Sequence, residues 1–368
     1  MTIADCHGHI FPSLDGACGY ESPDLHNLYL QYGMSVHGAQ PVVRARDRVA
    51  VPNDQLWSTA DPSPSGRRET DFRAGANGRM TWRDGGEEHY IQFLPPYMND
   101  TASPAETIVA QMDHAGIDTM VLQNEHMYGN LAHMFADAMA RFPGRFIGTA
   151  QVEEAFADTD AEIARLEQQV TELGMSGLYI TLNGYMRDGW RRDYNDPSFR
   201  PFWETVRRLR LPVFWVFPGE TPWGTFEDEM VRYKRWLEDY GDVANVIVHG
   251  WPTFRWLGSD GRIVWPDVAV RIMEEHLVYT EILYPIGRGG REEYPFLKSV
   301  DHVRETFDRF GADRLVWGSD MPNVERYCTY RQTYTYLAER CPWLGEAEKS
   351  ALFGGNLLAM FADRSARG

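Results

Sequence analysis

The sequence predicts an α/β protein, a (β/α)8 TIM-like barrel with a long insertion after strand 1 that covers the active-site mouth. Two observations predict the barrel. Short runs of β-branched and aromatic residues alternate with longer amphipathic runs, which is the pattern of repeated strand–helix units around a parallel sheet. Eight such short runs are present, and eight strands close a barrel of this type.

The eight predicted strands share a short length and an apolar, β-branched or aromatic composition. They are Ile3–Cys6, Thr119–Gln123, Phe146–Gln151, Gly177–Leu182, Val213–Phe217, Val246–His249, Val278–Ile282 and Leu315–Gly318. Helical spacing of apolar residues predicts helices between several of them. These helices are Asp158–Leu173, Pro197–Arg208, Phe226–Tyr240, Trp265–Glu275 and Val300–Phe310.

Residues 11–102 depart from this alternation. The segment is rich in Gly, Pro, Arg, Asp and aromatic residues, and it is too long for an ordinary connection between a strand and a helix. Aromatic residues such as Trp57, Trp82 and Tyr90 give it surface to bury, which favours an ordered segment over disorder. Because strand 1 ends at the catalytic face of such a barrel, we interpret 11–102 as an insertion over the barrel mouth. We expect one domain that spans residues 1–368.

The charge of the chain limits its partners. The formal net charge of -17 disfavours nucleic acid and anionic membrane surfaces, because both would be repelled. No apolar run approaches the roughly 20 residues of a membrane span, and the N-terminus lacks the basic and apolar regions of a secretory signal. We therefore expect a cytoplasmic protein that acts on a small-molecule substrate and binds neither nucleic acid nor membrane.

Chemically reactive side chains occur where three predicted strands end. His7 and His9 follow the first strand, His249 ends the sixth, and Asp320 follows the eighth. Residues two apart on an extended strand share a face, so both imidazoles of the first segment can bind one ion. Two His and one Asp are ligands typical of an open, catalytic metal site, and imidazole ligands suit zinc. The pattern predicts a divalent metal bound by His7, His9 and Asp320, with Zn²⁺ as the expected ion and Mn²⁺ as the alternative.

Together with three further segments, these residues resemble the metal-dependent amidohydrolase superfamily, in particular the branch containing aminocarboxymuconate-semialdehyde decarboxylase and related aromatic-acid decarboxylases. The segment Asp5–Pro12 carries the first ligands. Met112–Asp118 is similar to the family's first barrel helix, Asn195–Trp203 to its helix before strand 5, and Phe353–Asn356 to its C-terminal helix. The resemblance implies that His249 transfers a proton or adds a ligand. It also implies that Asp320 binds the metal or accepts a proton from water at the metal.

The fifth strand departs from the pattern of that family. The family has a metal-binding His at the end of this strand, whereas Phe217 occupies the position here. A phenyl ring cannot bind a metal, so one nitrogen ligand is lost. Three explanations remain open: another side chain such as His249 or Glu220 fills the position, water fills it, or the protein works without a metal.

Other residues near predicted strand ends are candidates for contact with the substrate. We expect Phe217, Trp251, Glu281 and Asn183 to bind it, and the many aromatic residues there favour a flat, aromatic molecule. Glu281, like Glu125 and His126, could instead pair with a neighbouring arginine. The insertion supplies arginines that could bind a substrate carboxylate, namely Arg67, Arg68, Arg79 and Arg83.

The leading hypothesis is a non-oxidative decarboxylase of a hydroxylated or amino aromatic acid, or of a vinylogous analogue, with His249 as proton donor to the ring. The alternative is a metal-dependent hydrolase of a lactone, amide or C–C bond, with Asp320 as proton acceptor. A third hypothesis is a metal-free binding protein or metal-independent variant. The resemblance also implies a homo-oligomer, with a dimer expected.

Overall fold

The structure is a computed structural model that describes residues 1–283 and 292–365, with side chains through residue 362. Its strands are numbered in chain order. They are β1 Ala4–Gly8, β2 Val42–Arg44, β3 Val49–Val51, β4 Arg73–Ala74, β5 Arg79–Asp84, β6 Glu87–Gln92, β7 Thr119–Leu122, β8 Phe146–Ala150, β9 Gly177–Thr181, β10 Val213–Val216, β11 Glu220–Thr221, β12 Gly224–Thr225, β13 Asn245–Ile247, β14 Val278–Leu283 and β15 Leu315–Gly318.

The helices of the described residues are numbered in the same way. They are α1 Pro23–Val36, α2 Ala105–Ala115, α3 Ala132–Arg141, α4 Asp160–Thr171, α5 Arg200–Leu209, α6 Phe226–Tyr240, α7 Asp267–Glu275, α8 Leu297–Phe310, α9 Gln332–Arg340, α10 Glu346–Ser350 and α11 Asn356–Ser365. A π-helical turn, Ala351–Gly355, joins the last two.

Eight parallel strands form one sheet in the order β1-β7-β8-β9-β10-β13-β14-β15. Backbone hydrogen bonds close the sheet into a barrel, because His9 N donates to Met321 O at 2.8 Å and Asp320 N donates to His7 O at 2.9 Å. The predicted (β/α)8 barrel is confirmed. Each predicted strand lies within two residues of its observed ends, and each predicted helix within three.

Alternating side chains divide each barrel strand between two layers. Cys6, Val121, Phe214 and Val316 belong to the cluster that fills the barrel interior. Leu357 and Met360 of α11 also pack into this cluster. A larger cluster lies between the strands and the surrounding helices. The interior is therefore a packed core, and functional side chains are confined to one end of the barrel.

Helix α6 illustrates why the helices form where the sequence predicts them. Thr225 and Asp228 form a capping box that satisfies free N–H groups at the first turn. Met230, Tyr233 and Leu237 then recur at helical spacing and are buried. Both ends of this helix match the prediction because the cap and the apolar stripe are local features of the sequence.

Residues between β1 and α2 fold into the helix α1 and a five-stranded antiparallel sheet with the order β3-β2-β6-β5-β4. The helix was not expected, because it contains Gly33 and several polar residues on its buried side, including His26 and Gln31. These features obscure the apolar stripe of an amphipathic helix. The assignment of residues 11–102 as an insertion within one domain stays a prediction.

Among the helices of residues 1–283 and 292–365, none has both the length and the apolar character that a bilayer crossing needs.

Candidate active site

Three side chains converge at the C-terminal end of the barrel strands. His7 Nε2 lies 3.0 Å from His9 Nε2 and 3.6 Å from Asp320 Oδ1, and His9 Nε2 lies 3.3 Å from the same oxygen. All three residues are buried. In the described part of the chain, they form the one cluster of His, Cys, Asp and Glu donors whose geometry could hold a metal ion.

An irregularity in β1 directs the two histidines. Asp5 pairs with Met120 and Gly8 pairs with Leu122, so three residue steps on β1 oppose two on β7. Such a bulge turns side chains away from strict alternation, and bulges are common beside active sites. Asp320 has a left-handed backbone with φ of 62°, which is uncommon outside glycine. Both features orient side chains that regular strands would direct elsewhere.

Asp5 ties the two strand ends together. Its Oδ1 accepts hydrogen bonds from the backbone N–H groups of His7 and Ser319, both at 2.9 Å. Its Oδ2 accepts from the hydroxyls of Ser319 at 2.5 Å and Tyr330 at 2.6 Å. Burial raises the pKa of Asp5 to about 6, although all of these hydrogen bonds lower it. No local pattern in the sequence indicates this role of Asp5, because Ser319 and Tyr330 lie more than 300 residues away.

Each imidazole has its second nitrogen occupied. His7 Nδ1 lies 3.1 Å from both carboxylate oxygens of Glu281, and His9 Nδ1 lies 3.0 Å from the carbonyl oxygen of Gln123. Because both partners are acceptors, both Nδ1 atoms carry protons. The two Nε2 atoms are left to face each other and Asp320. This arrangement, with an outer acceptor on each ring, is typical of metal-binding histidines.

The distances fit a first-row divalent ion. Zinc–nitrogen bonds of 2.0–2.1 Å separate the ligand atoms of a tetrahedral site by about 3.3 Å. The three donor separations here, 3.0, 3.3 and 3.6 Å, bracket that value. The residues present therefore fit a divalent metal.

Charges in the cluster favour a cation. Burial alone would lower the pKa of His7, but the Glu281 carboxylate and then Asp320 raise it to about 9. Burial lowers the pKa of His9. Burial would raise the pKa of Asp320, yet the hydrogen bond with His9 and the charge of His7 hold it well below its usual range. The centre thus keeps Asp320 ionised and stabilises added positive charge.

Glu281 was predicted to lie in the substrate pocket, but its carboxylate contacts His7. Its side chain is fully buried beneath His7, and its Oε2 also accepts the backbone N–H of His249 at 2.5 Å. Gly318 makes room for it, because a Cβ there would lie 1.9 Å from Glu281 Oε1 and 2.9 Å from His7 Cβ. Glu281 does not line the substrate cavity. The structure places Glu281 in contact with His7, and its contact with a substrate stays a prediction.

His249 lies beside the cluster of His7, His9 and Asp320 but is not one of its converging donors. Its ring centroid is 5.2 Å from that of His7, and its backbone is left-handed with φ of 66°. Strand β13 has ended at Ile247, so the left-handed turn brings the ring to the centre. Burial, followed by the charge of His7, lowers the pKa of His249 to about 4. Its ring is therefore neutral at pH 7, and in this arrangement three of the four predicted ligands converge.

Phe217 lies at the cavity wall, but its ring does not face the barrel interior. It stacks on Trp215 at 5.7 Å between centroids and contacts Tyr233 at 5.0 Å, both in the outer layer. Val216 is the last residue of β10 and belongs to the interior cluster. The position that faces the centre at the end of this strand is thus Val216. The predicted register is corrected by one residue, and an apolar side chain still stands there.

A cavity of about 340 Å³ opens above the cluster. Its lining includes the predicted residues His249, Asn183, Phe217 and Trp251. Residues of α1 and of the loop after it, such as Gly33, Val36 and His37, form another part of the wall. The cavity therefore joins a polar, charged floor to walls that are largely aromatic and apolar.

The arginines at the cavity are not the predicted ones. Arg67, Arg68, Arg79 and Arg83 are absent from its lining, and Arg255 and Arg326 are present. Arg67 instead pairs with Asp24 and donates to Gln31. Arg326 lies six residues after Asp320 and donates to the carbonyl oxygen of Phe93. The position of Arg326 just after the eighth strand was a signal that the sequence analysis missed.

Comparison with known proteins agrees with this architecture. A gamma-resorcylate decarboxylase from Rhizobium radiobacter is 28% identical over 262 residues, which cover 59% of this chain and 76% of that protein. The structure of a probable 2-pyrone-4,6-dicarboxylic acid hydrolase from Acinetobacter baumannii aligns over 98% of this chain and 100% of its own, with a TM-score of 0.57 and 15% identity. The 2,6-dihydroxybenzoate decarboxylase structure from Rhizobium aligns over 70% and 88%, with a TM-score of 0.51 and 18% identity.

The two structural matches share the fold at low sequence identity. The family model described as amidohydrolase matches residues 4–362, nearly the whole sequence. This span includes both ends of the barrel, from β1 to α11, and all three converging side chains. The chain belongs to the amidohydrolase family.

Proposed function

We propose that this protein is a metal-dependent, non-oxidative decarboxylase of hydroxylated or amino aromatic carboxylic acids. The observation that carries the proposal is the cavity that joins the His7–His9–Asp320 cluster to aromatic walls. The polar floor suits a carboxylate with a neighbouring hydroxyl, and the walls suit a flat ring. The gamma-resorcylate decarboxylase similar to this chain acts on a molecule of that class by its name.

His7, His9 and Asp320 would hold the metal, with Zn²⁺ favoured by the two imidazoles and Mn²⁺ as the alternative. When bound, the ion would supply positive charge that holds the substrate carboxylate and the hydroxyl beside it. Glu281 and the carbonyl oxygen of Gln123 would keep the two imidazoles in the protonation state that leaves Nε2 free.

His249 would handle the proton. Its neutral ring can accept a proton from the substrate hydroxyl or from solvent, and can then deliver it to the ring carbon. The C–C bond to the carboxylate breaks, its electron pair stays on the ring carbon, and the proton from His249 takes the place of carbon dioxide. Phe217 and Trp251 would hold the ring in the cavity, in reach of His249.

Hydrolysis is the alternative reaction. Asp320 is an ionised carboxylate at the centre, so it could accept a proton from an attacking water. A hydrolase would open a lactone or amide and release no carbon dioxide. The two reactions therefore differ in a product that can be measured directly.

The test is an assay of a panel of hydroxy- and aminobenzoates, with carbon dioxide and the decarboxylated ring as readouts. We expect at least one member to be decarboxylated, and His7→Ala to abolish the reaction. A lactone panel assayed in parallel tests the alternative. Ring opening of a lactone without carbon dioxide release from any benzoate would contradict the proposal.

We also propose that the protein is a cytoplasmic homodimer. The acidic composition supports a small-molecule enzyme without nucleic-acid or membrane partners. Light scattering during gel filtration tests the dimer, and a monomeric mass at micromolar concentration would contradict it.

A further inference from the structure

Tyr128 is a polar residue of the cavity that the proposed reaction does not use. It lies in the loop after β7 and lines the cavity above the metal-binding cluster. Its ring lies 4.6 Å from that of His9 and stacks on that of Phe11 at 4.6 Å, both between centroids. The side chain is 3% exposed. These contacts hold the Tyr128 hydroxyl beside the candidate metal site.

Hydrogen bonds of Asn323 determine where the hydroxyl proton of Tyr128 can go. Asn323 Nδ2 lies 2.8 Å from Asp320 Oδ1 and 2.6 Å from Tyr128 Oη. An ionised carboxylate only accepts hydrogen bonds, so Asn323 must turn its amino group and not its carbonyl oxygen toward Asp320. The two N–H groups then go to Asp320 and Tyr128, and Tyr128 Oη is an acceptor in this contact. Its own proton therefore points away from Asn323.

The hydroxyl proton of Tyr128 has no protein acceptor in the described part of the chain, where the bond from Asn323 is the one hydrogen bond of this hydroxyl. Burial, followed by the charge of Asp320, raises the pKa of Tyr128 well above its usual range, although the Asn323 hydrogen bond and the charge of Arg326 lower it. The hydroxyl thus keeps its proton. A buried donor without an acceptor is costly, and a ligand in the cavity can supply the acceptor.

A positive charge near the hydroxyl favours an anionic acceptor. Arg326 lines the same cavity, and its charge acts on Tyr128. Among the described residues, Arg326 donates to Gln40 Oε1 at 3.4 Å and to the carbonyl oxygen of Phe93, and neither acceptor is charged. Hydrogen bonds to ionised acceptors are about twice as strong as those between neutral groups. The carboxylate is the anionic group of the aromatic acids considered above.

Tyr128 and His249 come from opposite sides of the barrel. The strands that precede them, β7 and β13, lie four places apart in the ring of eight strands. Both residues line the cavity. A substrate held between them would offer an oxygen of its carboxylate to Tyr128, and the ring carbon that bears this carboxylate to His249.

We propose that the Tyr128 hydroxyl binds the substrate carboxylate by donating a hydrogen bond to one of its oxygens, with Asn323 directing the proton. The inference rests on the proposed function and adds a substrate-binding residue to it. The hydrogen bond forms when the substrate binds, and it weakens as the carboxylate loses its charge to become carbon dioxide. Tyr128 therefore contributes to binding and not to the rate of C–C bond cleavage.

The test is Tyr128→Phe, which removes one oxygen atom and keeps the aromatic ring. Calorimetry measures the affinity for a hydroxybenzoate and for the phenol that its decarboxylation would yield. We expect the variant to bind the benzoate about 10- to 100-fold more weakly, the usual contribution of a hydrogen bond to a charged group, and to bind the phenol as the natural protein does. In assays of carbon dioxide release, KM should rise by the same factor while kcat changes little.

Two controls separate this role from a structural one. Tyr240→Phe removes the hydroxyl of a buried tyrosine that does not line the cavity, so it should leave both affinities unchanged. Elemental analysis should find the same metal content in Tyr128→Phe as in the natural protein, because Asn323 still donates to Asp320. Loss of metal, an equal loss of affinity for benzoate and phenol, or no loss for either compound would overturn the proposal.

Failure of the proposed function would be recognised separately. If no benzoate releases carbon dioxide, the calorimetry still tests the hydrogen bond, because binding needs no turnover. Weaker binding of the benzoate alone in Tyr128→Phe would then support the role of Tyr128 although the proposed reaction is wrong. A natural protein that binds no hydroxybenzoate would overturn it.

Discussion

Glu281 contacts His7 with both carboxylate oxygens, each 3.1 Å from Nδ1. The same carboxylate accepts the backbone N–H of His249, so one buried acid positions two residues of the site. It lies at the end of β14, and it reaches β1 because Gly318 of the intervening β15 has no side chain. The candidate metal site therefore depends on a residue that neither lines the cavity nor belongs to the three converging donors.

We predict that Glu281→Gln lowers metal affinity by about 10- to 100-fold, the usual cost of losing an outer partner of a ligand. An amide can accept from His7 through one atom only, so the ring is held less firmly. Metal competition with a chromophoric chelator measures the change. Glu238→Gln, on an exposed helix face, is the control. An unchanged affinity in Glu281→Gln would show that His7 is oriented by its own backbone.

His249→Ala should lower kcat by about 10²- to 10⁴-fold, the range for loss of a proton-transfer group. The metal content should stay near that of the natural protein, because His249 lies outside the converging donors. Kinetics and elemental analysis on the same sample check both statements. His114→Gln, an exposed site, serves as the control. Loss of metal in His249→Ala would identify this residue as a ligand instead.

Histidine substitutions at Val216 and Phe217 test which of these two residues at the end of β10 faces the candidate metal site. A histidine at Val216 would project from the interior face, so Val216→His should tighten metal binding by about 10-fold or more, because an added imidazole contributes a direct bond. Phe217→His should not, since that side chain packs on Trp215 and Tyr233. Metal titration of both variants shows which of the two residues faces the interior at the end of β10. Tighter binding only in Phe217→His would restore the alignment made from the sequence.

A second buried pair links α1 to the barrel. His126 Nε2 lies 2.7 Å from Glu154 Oε2, and its ring stacks on Tyr29 at 4.3 Å. Burial alone would lower the pKa of His126, but the Glu154 carboxylate raises it. A raised folded-state pKa contributes stability below the unfolded value of about 6.5, and this stability is lost as the pH rises through the folded pKa.

We therefore predict that the free energy of unfolding falls as the pH increases above about 6.5, and that His126→Gln makes this dependence weaker, while the raised pKa of His7 maintains part of it. The variant should also cost about 3–5 kcal/mol at pH 6, because it leaves Glu154 buried without its partner. Urea unfolding at pH 6 to 9 measures both effects. His133→Gln, an exposed site, is the control. An unchanged slope in His126→Gln would assign the pH dependence to other groups.

The sequence allowed most of the barrel to be predicted, because strand composition and helix caps are local. All eight barrel strands and the converging His7, His9 and Asp320 were expected. The direction of individual side chains at the strand ends was less predictable. At Phe217, alignment with the fifth strand of the resembling family indicated the wrong face, since the last interior position is one residue earlier.

Hydrogen bonds between residues that are far apart in the sequence could not be predicted from local patterns. Asp5 and Glu281 appear in the sequence as ordinary acidic residues on strands, and their longest-range hydrogen bonds span 274 to 325 residues. The left-handed backbones of His249 and Asp320 also have distant partners, since the N–H of His249 donates to Glu281 and that of Asp320 donates to the carbonyl oxygen of His7. Such strain is concentrated at functional sites, where the surrounding fold enforces it.

The most direct test of the account is carbon dioxide release from hydroxybenzoates by one preparation measured in three states. These states are the protein as purified, after removal of metal by a chelator, and after addition of Zn²⁺ or Mn²⁺. We predict activity in the first state, loss in the second and recovery in the third. Full activity in the metal-free protein, or no carbon dioxide from any hydroxybenzoate in any state, would contradict it.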